Sequence, residues 1–240
     1  MLNDIRPEDI LFLDIETVPQ FPEYAQLPEE HKKLWDKKAQ TLIKESDTPE
    51  SIYSRAGIYA EFGRIICISV GFIVNKEGIR FLRLKSFYGD DEKSLLTDFA
   101  QMLSRFEKRM GANLCAHNGK EFDFPYIARR MLINGIEIPE IINVAGKKPW
   151  EVKFLDTMEL WKFGDNKHYT SLNLLTYVFG IPSPKDDIDG SQVADCYYTL
   201  GDIERIATYC EKDVLAVVQL FLRYKGLPLI DPNNIEQADT

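Results

Sequence analysis

The sequence predicts an α/β fold, a mixed β-sheet with helices against its faces, on three observations. The run Ile10 to Ile15 (ILFLDI) is short and mostly apolar, as a strand buried on both faces of a central sheet must be. Arg64 to Val74 and Ile79 to Tyr88 are β-rich runs separated by Asn75 to Gly78, where Asn and Gly permit a turn, so they form a hairpin. Beyond the hairpin, segments with apolar residues spaced by three and four alternate with short apolar runs, the pattern of α/β crossovers.

The elements follow in order. After the first strand, Glu29 to Glu45 is dense in Lys and Glu around Leu34, Trp35, Ala39 and Leu42, a spacing that gives a helix with a narrow apolar face and reads as an inserted or lid-like element. The hairpin comes next. Leu95, Phe99, Met102, Leu103 and Phe106 recur at helical spacing, Leu114 to Ala116 makes a short strand, and a helix then runs to about Asn134. Val152 to Leu155 is a further short strand, Ser171 to Phe179 a helix capped by Thr170 or Ser171, and Asp202 to Tyr224 a long final helix. Pro182 to Gly190 is the clearest long loop. A single domain over residues 1–240 is expected, without internal repeats.

Bulk properties narrow the function classes. With 45% hydrophobic and 28% charged residues, the 240-residue chain has the composition of a soluble globular protein. No apolar run is long enough to span a bilayer, and the opening MLNDIRPEDI carries acids where a secretory signal would be basic and apolar, so no membrane association and a cytoplasmic location are expected. Cys67, Cys115, Cys196 and Cys210 lack a C-x-x-C pair and read as core thiols rather than zinc ligands or a disulfide framework. A formal net charge of -9 excludes a broad basic surface that grips duplex DNA. Clustered carboxylates can nonetheless draw divalent cations that supply the positive charge a phosphodiester needs.

Three short motifs bear on chemistry. Asp14 and Glu16 are two apart in the first strand, which puts both side chains on one face, about 7 Å apart along the chain, at a strand end where open α/β sheets place their sites. With 38 acids present, one such pair is expected by chance, so the placement matters more than the pair. In the last helix an apolar stripe (Ile203, Ile206, Ala207, Cys210, Val214, Val217, Val218, Phe221) is edged by Tyr209 and Asp213, one turn apart. Taken alone, that pair reads first as a solvated helix edge. Asp123 lies in AHNGKEFDFPYI among Phe122, Phe124, Tyr126 and Ile127, after a turn at Asn118 and Gly119. It reads equally well as the N-cap of a helix whose first positions are Phe124 and Pro125.

Taken together, D-x-E at Asp14 and Glu16, N-x3-F-D from Asn118 to Asp123, and Y-x3-D from Tyr209 to Asp213 resemble, in type and order, the tyrosine branch of the DEDD superfamily of 3'-5' exonucleases. The stretches FDFPYI, DIDGSQV and YCEKDVLAV are similar to a stand-alone group related to the exonuclease domain of family B DNA polymerases, and the resemblance spans about residues 10 to 225.

That resemblance implies a ribonuclease H-like fold and two Mg2+ or Mn2+ ions, with Asp14, Glu16 and Asp213 holding one and Asp14 bridging to a second whose waters reach Asp123. Oxygen-only ligands suit those cations. The activity implied is removal of nucleoside 5'-monophosphates from a free 3' end, single-stranded DNA being favoured over RNA. Tyr209 orients the attacking water, Thr17 touches the terminal nucleotide, and Asn118 and Phe122 contact the penultimate one.

Other residues keep plainer readings. His117 is expected to be a hydrogen-bonded structural histidine and Asp156 the cap of a short helix. Lys147, Lys148, Arg129 and Arg130 either track a phosphate backbone or lie on a solvated surface, and Trp35 either stacks on single strands or packs on the sheet. Two rival functions stand beside the exonuclease: a non-catalytic nucleic-acid-binding module with a nuclease-like fold, and a ribonuclease H-like endonuclease, which would release internal fragments rather than mononucleotides.

Overall fold

A computed structural model describes residues 2–44, 46–165, 169–182 and 188–238. Glu45, the expected end of the inserted helix, and residues 183–187 of the expected long loop lie outside the described residues.

In chain order the elements are β1 (Ile10–Pro19), α1 (Glu29–Ala39), β2 (Gly63–Lys76), β3 (Ile79–Tyr88), α2 (Glu92–Phe106), β4 (Asn113–Ala116), α3 (Asp123–Ile133), β5 (Leu155–Asp156), α4 (Thr157–Lys162), α5 (Leu172–Val178), α6 (Val193–Asp195), α7 (Ile203–Tyr224) and β6 (Ile235–Gln237). The six strands make one mixed sheet in the order β5-β4-β1-β2-β3-β6. β1–β2 and β2–β3 are antiparallel, whereas β4 and β5 join β1 on one side, and β6 joins β3 on the other, in parallel. This is the mixed sheet flanked by helices that the sequence predicts, in agreement with a ribonuclease H-like arrangement.

The hairpin turns through Glu77 and Gly78, both at positive φ, with Asn75 Oδ1 accepting from the Gly78 N–H. Along β1 the side chains alternate between two cores. Leu11, Leu13 and Ile15 join Leu96, Phe99 and Leu103 of α2 and Phe124 and Ile127 of α3 on one face. Ile10 and Phe12 meet Val214, Val217 and Phe221 of α7 on the other, the Phe12 and Phe221 rings lying 5.5 Å apart edge to face. Every second residue of β1 therefore points at α7, and Asp14 and Glu16 continue that parity beyond Phe12. The β1–β4 ladder ends at the Phe12–Cys115 pair, so β1 runs on without β4 beside it.

Several expectations need correction. α1 stops at Ala39 rather than near Glu45, and Leu34 is 55% exposed while Trp35 is wholly buried. The apolar face is carried by Trp35 and Ala39, which pack with Tyr53, Ile52 and Phe62 into a core of their own. Trp35 lies 5.6 Å from Tyr53 and 5.3 Å from Phe62, and its indole N–H donates to the Pro49 carbonyl, so it packs inside the insert and cannot stack on a nucleic acid. The strand expected over Val152 to Leu155 is the two-residue β5, because β4 offers only Cys115 and Ala116 as partners.

Arg130 is not a surface phosphate contact. It is 4% exposed and donates to both oxygens of Glu92 and to the Ala60 carbonyl, while Glu92 also accepts from the Ile65 N–H. This buried, fully bonded pair ties α2, α3, β2 and the inserted segment together. α6, the π-helical turn Cys196–Leu200 and β6 had no periodic signal of sufficient length.

A candidate carboxylate centre at the end of β1

Three local arrangements bring the motif residues together. The first is the parity of β1, which aims Asp14 and Glu16 at α7, with a register shift after Glu16 where β2 carries Ile66 as an extra residue. The second is α7, whose apolar stripe seats on the sheet and so sets its rotation. Tyr209 is 6% exposed and hydrogen-bonds Asp213 one turn later. The third is the turn before α3. Asn118 takes a left-handed φ of 63°, and a Cβ on Gly119 would stand 2.4 Å from that of Ala116, so this tight turn requires glycine.

Of its two readings, Asp123 does not take the N-cap place. It is the first helical residue of α3, and Phe122 holds the cap position without a side-chain bond. Instead of capping the helix, the Asp123 carboxylate accepts from the backbone N–H of Ile15, the residue between Asp14 and Glu16. Its Oδ1 is buried without a hydrogen-bond partner, in a residue 2% exposed. The second and first motifs are thus joined directly.

The electrostatics are those of crowded acids. Burial first, then the charges of Asp213, Glu16 and Asp123, push the Asp14 carboxyl well above its ordinary range. Burial likewise pushes Asp123 up to about 7, with Asp156 and Asp213 adding to the effect and the backbone N–H groups of Asp123 and Ile15 opposing it. Tyr209 is held strongly toward its protonated form by burial and by Asp213, Glu16 and Asp14. Its hydroxyl therefore keeps its proton at neutral pH and can donate, but cannot act as a base.

Cys210 is a participant that sequence reasoning took only as a core thiol. Its Sγ lies 3.3 Å from Asp14 Oδ2 and donates to it, and burial raises the thiol pKa, keeping the proton in place. One oxygen each from Asp14 and Glu16 and the Cys210 sulfur lie within 4.8 Å of one another. With Cys210 protonated, the donors that remain are carboxylate oxygens. Such a set, whose ionised forms repel, fits a hard divalent cation, and the buried Oδ1 of Asp123 has no hydrogen-bond partner. Position alone signalled Cys210, which lies between Tyr209 and Asp213 on the helix face that meets β1.

The remaining candidates fall around this centre. The Thr17 hydroxyl hydrogen-bonds that of Tyr126, which donates to the Gly57 carbonyl at 2.7 Å. Asn118 presents a buried Oδ1 with no partner, and Phe122 packs against the α3 core with its ring 5.4 Å from that of Tyr126. His117 bonds the Thr157 hydroxyl and the Thr170 carbonyl, both at 2.9 Å, and burial lowers its pKa, so it is a neutral structural histidine. Asp156 caps α4 through the Met158 and Glu159 N–H groups, as expected. It also accepts from the Asn118 and Lys120 N–H groups at 3.0 and 3.1 Å, clamping the turn before α3.

The four cysteines are buried and none is in a disulfide. No helix among the described residues is long and apolar enough to cross a membrane.

A family model described as "predicted 3'-5' exonuclease related to the exonuclease domain of PolB" matches residues 58–230. That span holds the turn before α3 and the Tyr209–Asp213 pair; Asp14 and Glu16 lie upstream of it. No curated protein matches the chain.

Proposed function

Because this chain belongs to the family of predicted 3'-5' exonucleases related to the exonuclease domain of PolB, we propose that it hydrolyses the terminal phosphodiester of a nucleic acid at the centre formed by Asp14, Glu16, Asp123 and Asp213. The observation that carries this reading is the Ile15 N–H to Asp123 bond, which places the acid of the second motif against the two acids of the first, upstream of the matched span. A purely structural role gives no account of several acids raised in pKa by one another at one strand end.

Asp14, Glu16 and Asp213 would hold one Mg2+ or Mn2+ ion, and Asp14 with Asp123 a second. When bound, the pair supplies an acidified water and neutralises charge at the phosphate and leaving 3' oxygen. The chain's own contributions are positional. Tyr209, kept protonated and bonded to Asp213, holds the attacking water in line with the phosphorus. The Cys210 thiol fixes one oxygen of Asp14 and so limits its rotation. Thr17, anchored by Tyr126, touches the terminal nucleotide, and the inward-facing oxygen of Asn118 and the edge of Phe122 meet the next sugar and base. The product is a nucleoside 5'-monophosphate, and single-stranded DNA is the favoured substrate.

The test is digestion of 5'-labelled single-stranded DNA and RNA with Mg2+, Mn2+ or EDTA, comparing wild type with Asp14→Ala. A metal-dependent ladder that shortens from the 3' end and disappears in the variant is expected. Internal fragments would point to an endonuclease, and intact substrate that is nevertheless bound would point to a binding module.

A further inference from the structure

We propose that a groove along the edge strand β5, floored by Trp150, is a subsite for the single strand upstream of the bond that is cut; this rests on the exonuclease reading of the carboxylate centre. The groove measures about 570 Å³ and is lined by Lys120, Trp150, Lys153, Phe154 and Leu155, among others. Trp150 is 78% exposed. The other two tryptophans are committed to packing: Trp35 is wholly buried, and Trp161 stacks on Tyr224 and meets Phe179 edge-on. A large aromatic surface left in water is the informative exception to core packing.

The charges around that indole are suited to a polyanion. Lys148 Nζ lies 5.3 Å from the ring centroid, and Lys147, Lys148 and Lys153 have no carboxylate at ion-pair distance among the described residues. The acids nearby are occupied: Glu151 accepts from the Lys148 N–H, Glu159 pairs with Lys120 at 2.6 Å, and Asp156 is 2% exposed with four backbone N–H groups on its carboxylate. In a chain of net charge -9, this is a local reversal of sign.

Continuity with the carboxylate centre selects the occupant. Lys120 lines the groove and belongs to the turn that carries Asn118 and Phe122, and Asp156, whose carboxylate holds that turn, lines the groove with it. A strand whose 3' end sits at Asp14 and whose next nucleotide meets Asn118 is led over Lys120 into the groove. There a base stacks on Trp150 while Lys148 and Lys153 lie beside the phosphates. Stacking of this kind is tolerant of sequence.

The experiment measures fluorescence anisotropy of labelled single strands of 3 and 12 nucleotides in EDTA, where nothing is cut, for wild type, Trp150→Ala and Trp150→Phe, with thermal melts as a check on folding. The reading is the ratio of the two affinities. In the wild type the longer strand binds more tightly; Trp150→Ala reduces that preference by about tenfold and Trp150→Phe restores part of it. An unchanged preference in Trp150→Ala, or displacement of the 12-mer by polyglutamate as readily as by unlabelled strand, overturns the proposal. If the wild type cuts nothing with either metal while Trp150→Ala still loses the preference, the exonuclease reading fails and the groove stands. If cutting proceeds and the preference is unaltered, the groove alone fails.

Discussion

Replacing Asp123 by asparagine should stabilise the metal-free protein while abolishing its activity. The Asp123 carboxyl has its pKa displaced from the ordinary 3.8 to about 7. A raised carboxyl pKa means that the folded state binds more protons than the unfolded state between those values, so stability falls as pH rises through that window. At pH 8 the full penalty is present, about 4 kcal/mol at ~1.36 kcal/mol per pH unit. Asparagine removes that penalty but accepts the Ile15 N–H less strongly than a carboxylate does, and the weaker bond returns on the order of 2 kcal/mol of it. The net gain is about 2 kcal/mol, which for a chain of this size raises the melting temperature by about 4–8 °C.

The assay is thermal unfolding of wild type and Asp123→Asn in EDTA at pH 5 and pH 8. The variant should melt higher at pH 8, the difference should shrink toward pH 5 where Asp123 is largely protonated, and added Mg2+ or Mn2+ should raise only the wild type strongly. An Asp123→Asn protein that melts at or below wild type at pH 8 in EDTA would refute the claim that burial and neighbouring acids strain this group.

Three further outcomes are expected. Tyr209→Phe keeps the ring in place but loses the orienting hydroxyl, so kcat should fall by about 10²-fold with KM little changed, read from steady-state kinetics on a short single strand. Arg130→Ala leaves Glu92 buried without its cation and should lower stability by about 3–5 kcal/mol in urea melts; a change under 1 kcal/mol would show that the pair is not sealed from water. Asp156→Ala frees the N–H groups of Asn118 and Lys120 and should raise KM more than it lowers kcat, whereas equal effects on both would place Asp156 in α4 alone.

The elements legible in the sequence were those with a strong period or a turn of fixed chemistry. The β2–β3 hairpin appears where its Asn and Gly required, and α2 and α7 where their stripes ran, because each is decided by local pattern and one buried face. α1 begins at Glu29 as expected but ends early, and its buried face is set by Tyr53 and Phe62, which lie beyond it in the chain. β5 was read too long and β6 was out of reach, since two or three residues become a strand only where β4 or β3 is there to pair with them.

At the site, the motif acids could be read from spacing. What could not were the contacts between motifs: the amide of Ile15 under Asp123, the thiol of Cys210 on Asp14, and the second pair of bonds made by Asp156. Arg130 read as a surface cation for the same reason, because nothing near it in sequence announces Glu92, 38 residues away.

The end of the β1–β4 ladder at Phe12 has a consequence for how this site could be retuned. Beyond that point the edge of β1 has lost its neighbour strand, and at Ile15 the carboxylate of Asp123 accepts the amide, so one side chain stands where a backbone carbonyl would be. The separation of the acids is then governed by strand register, which moves only in whole residues of about 3.3 Å, each one reversing the side-chain face. Fine adjustment toward a larger or smaller cation is open only through side-chain length, by exchanging aspartate for glutamate at positions whose backbone stays where the sheet puts it.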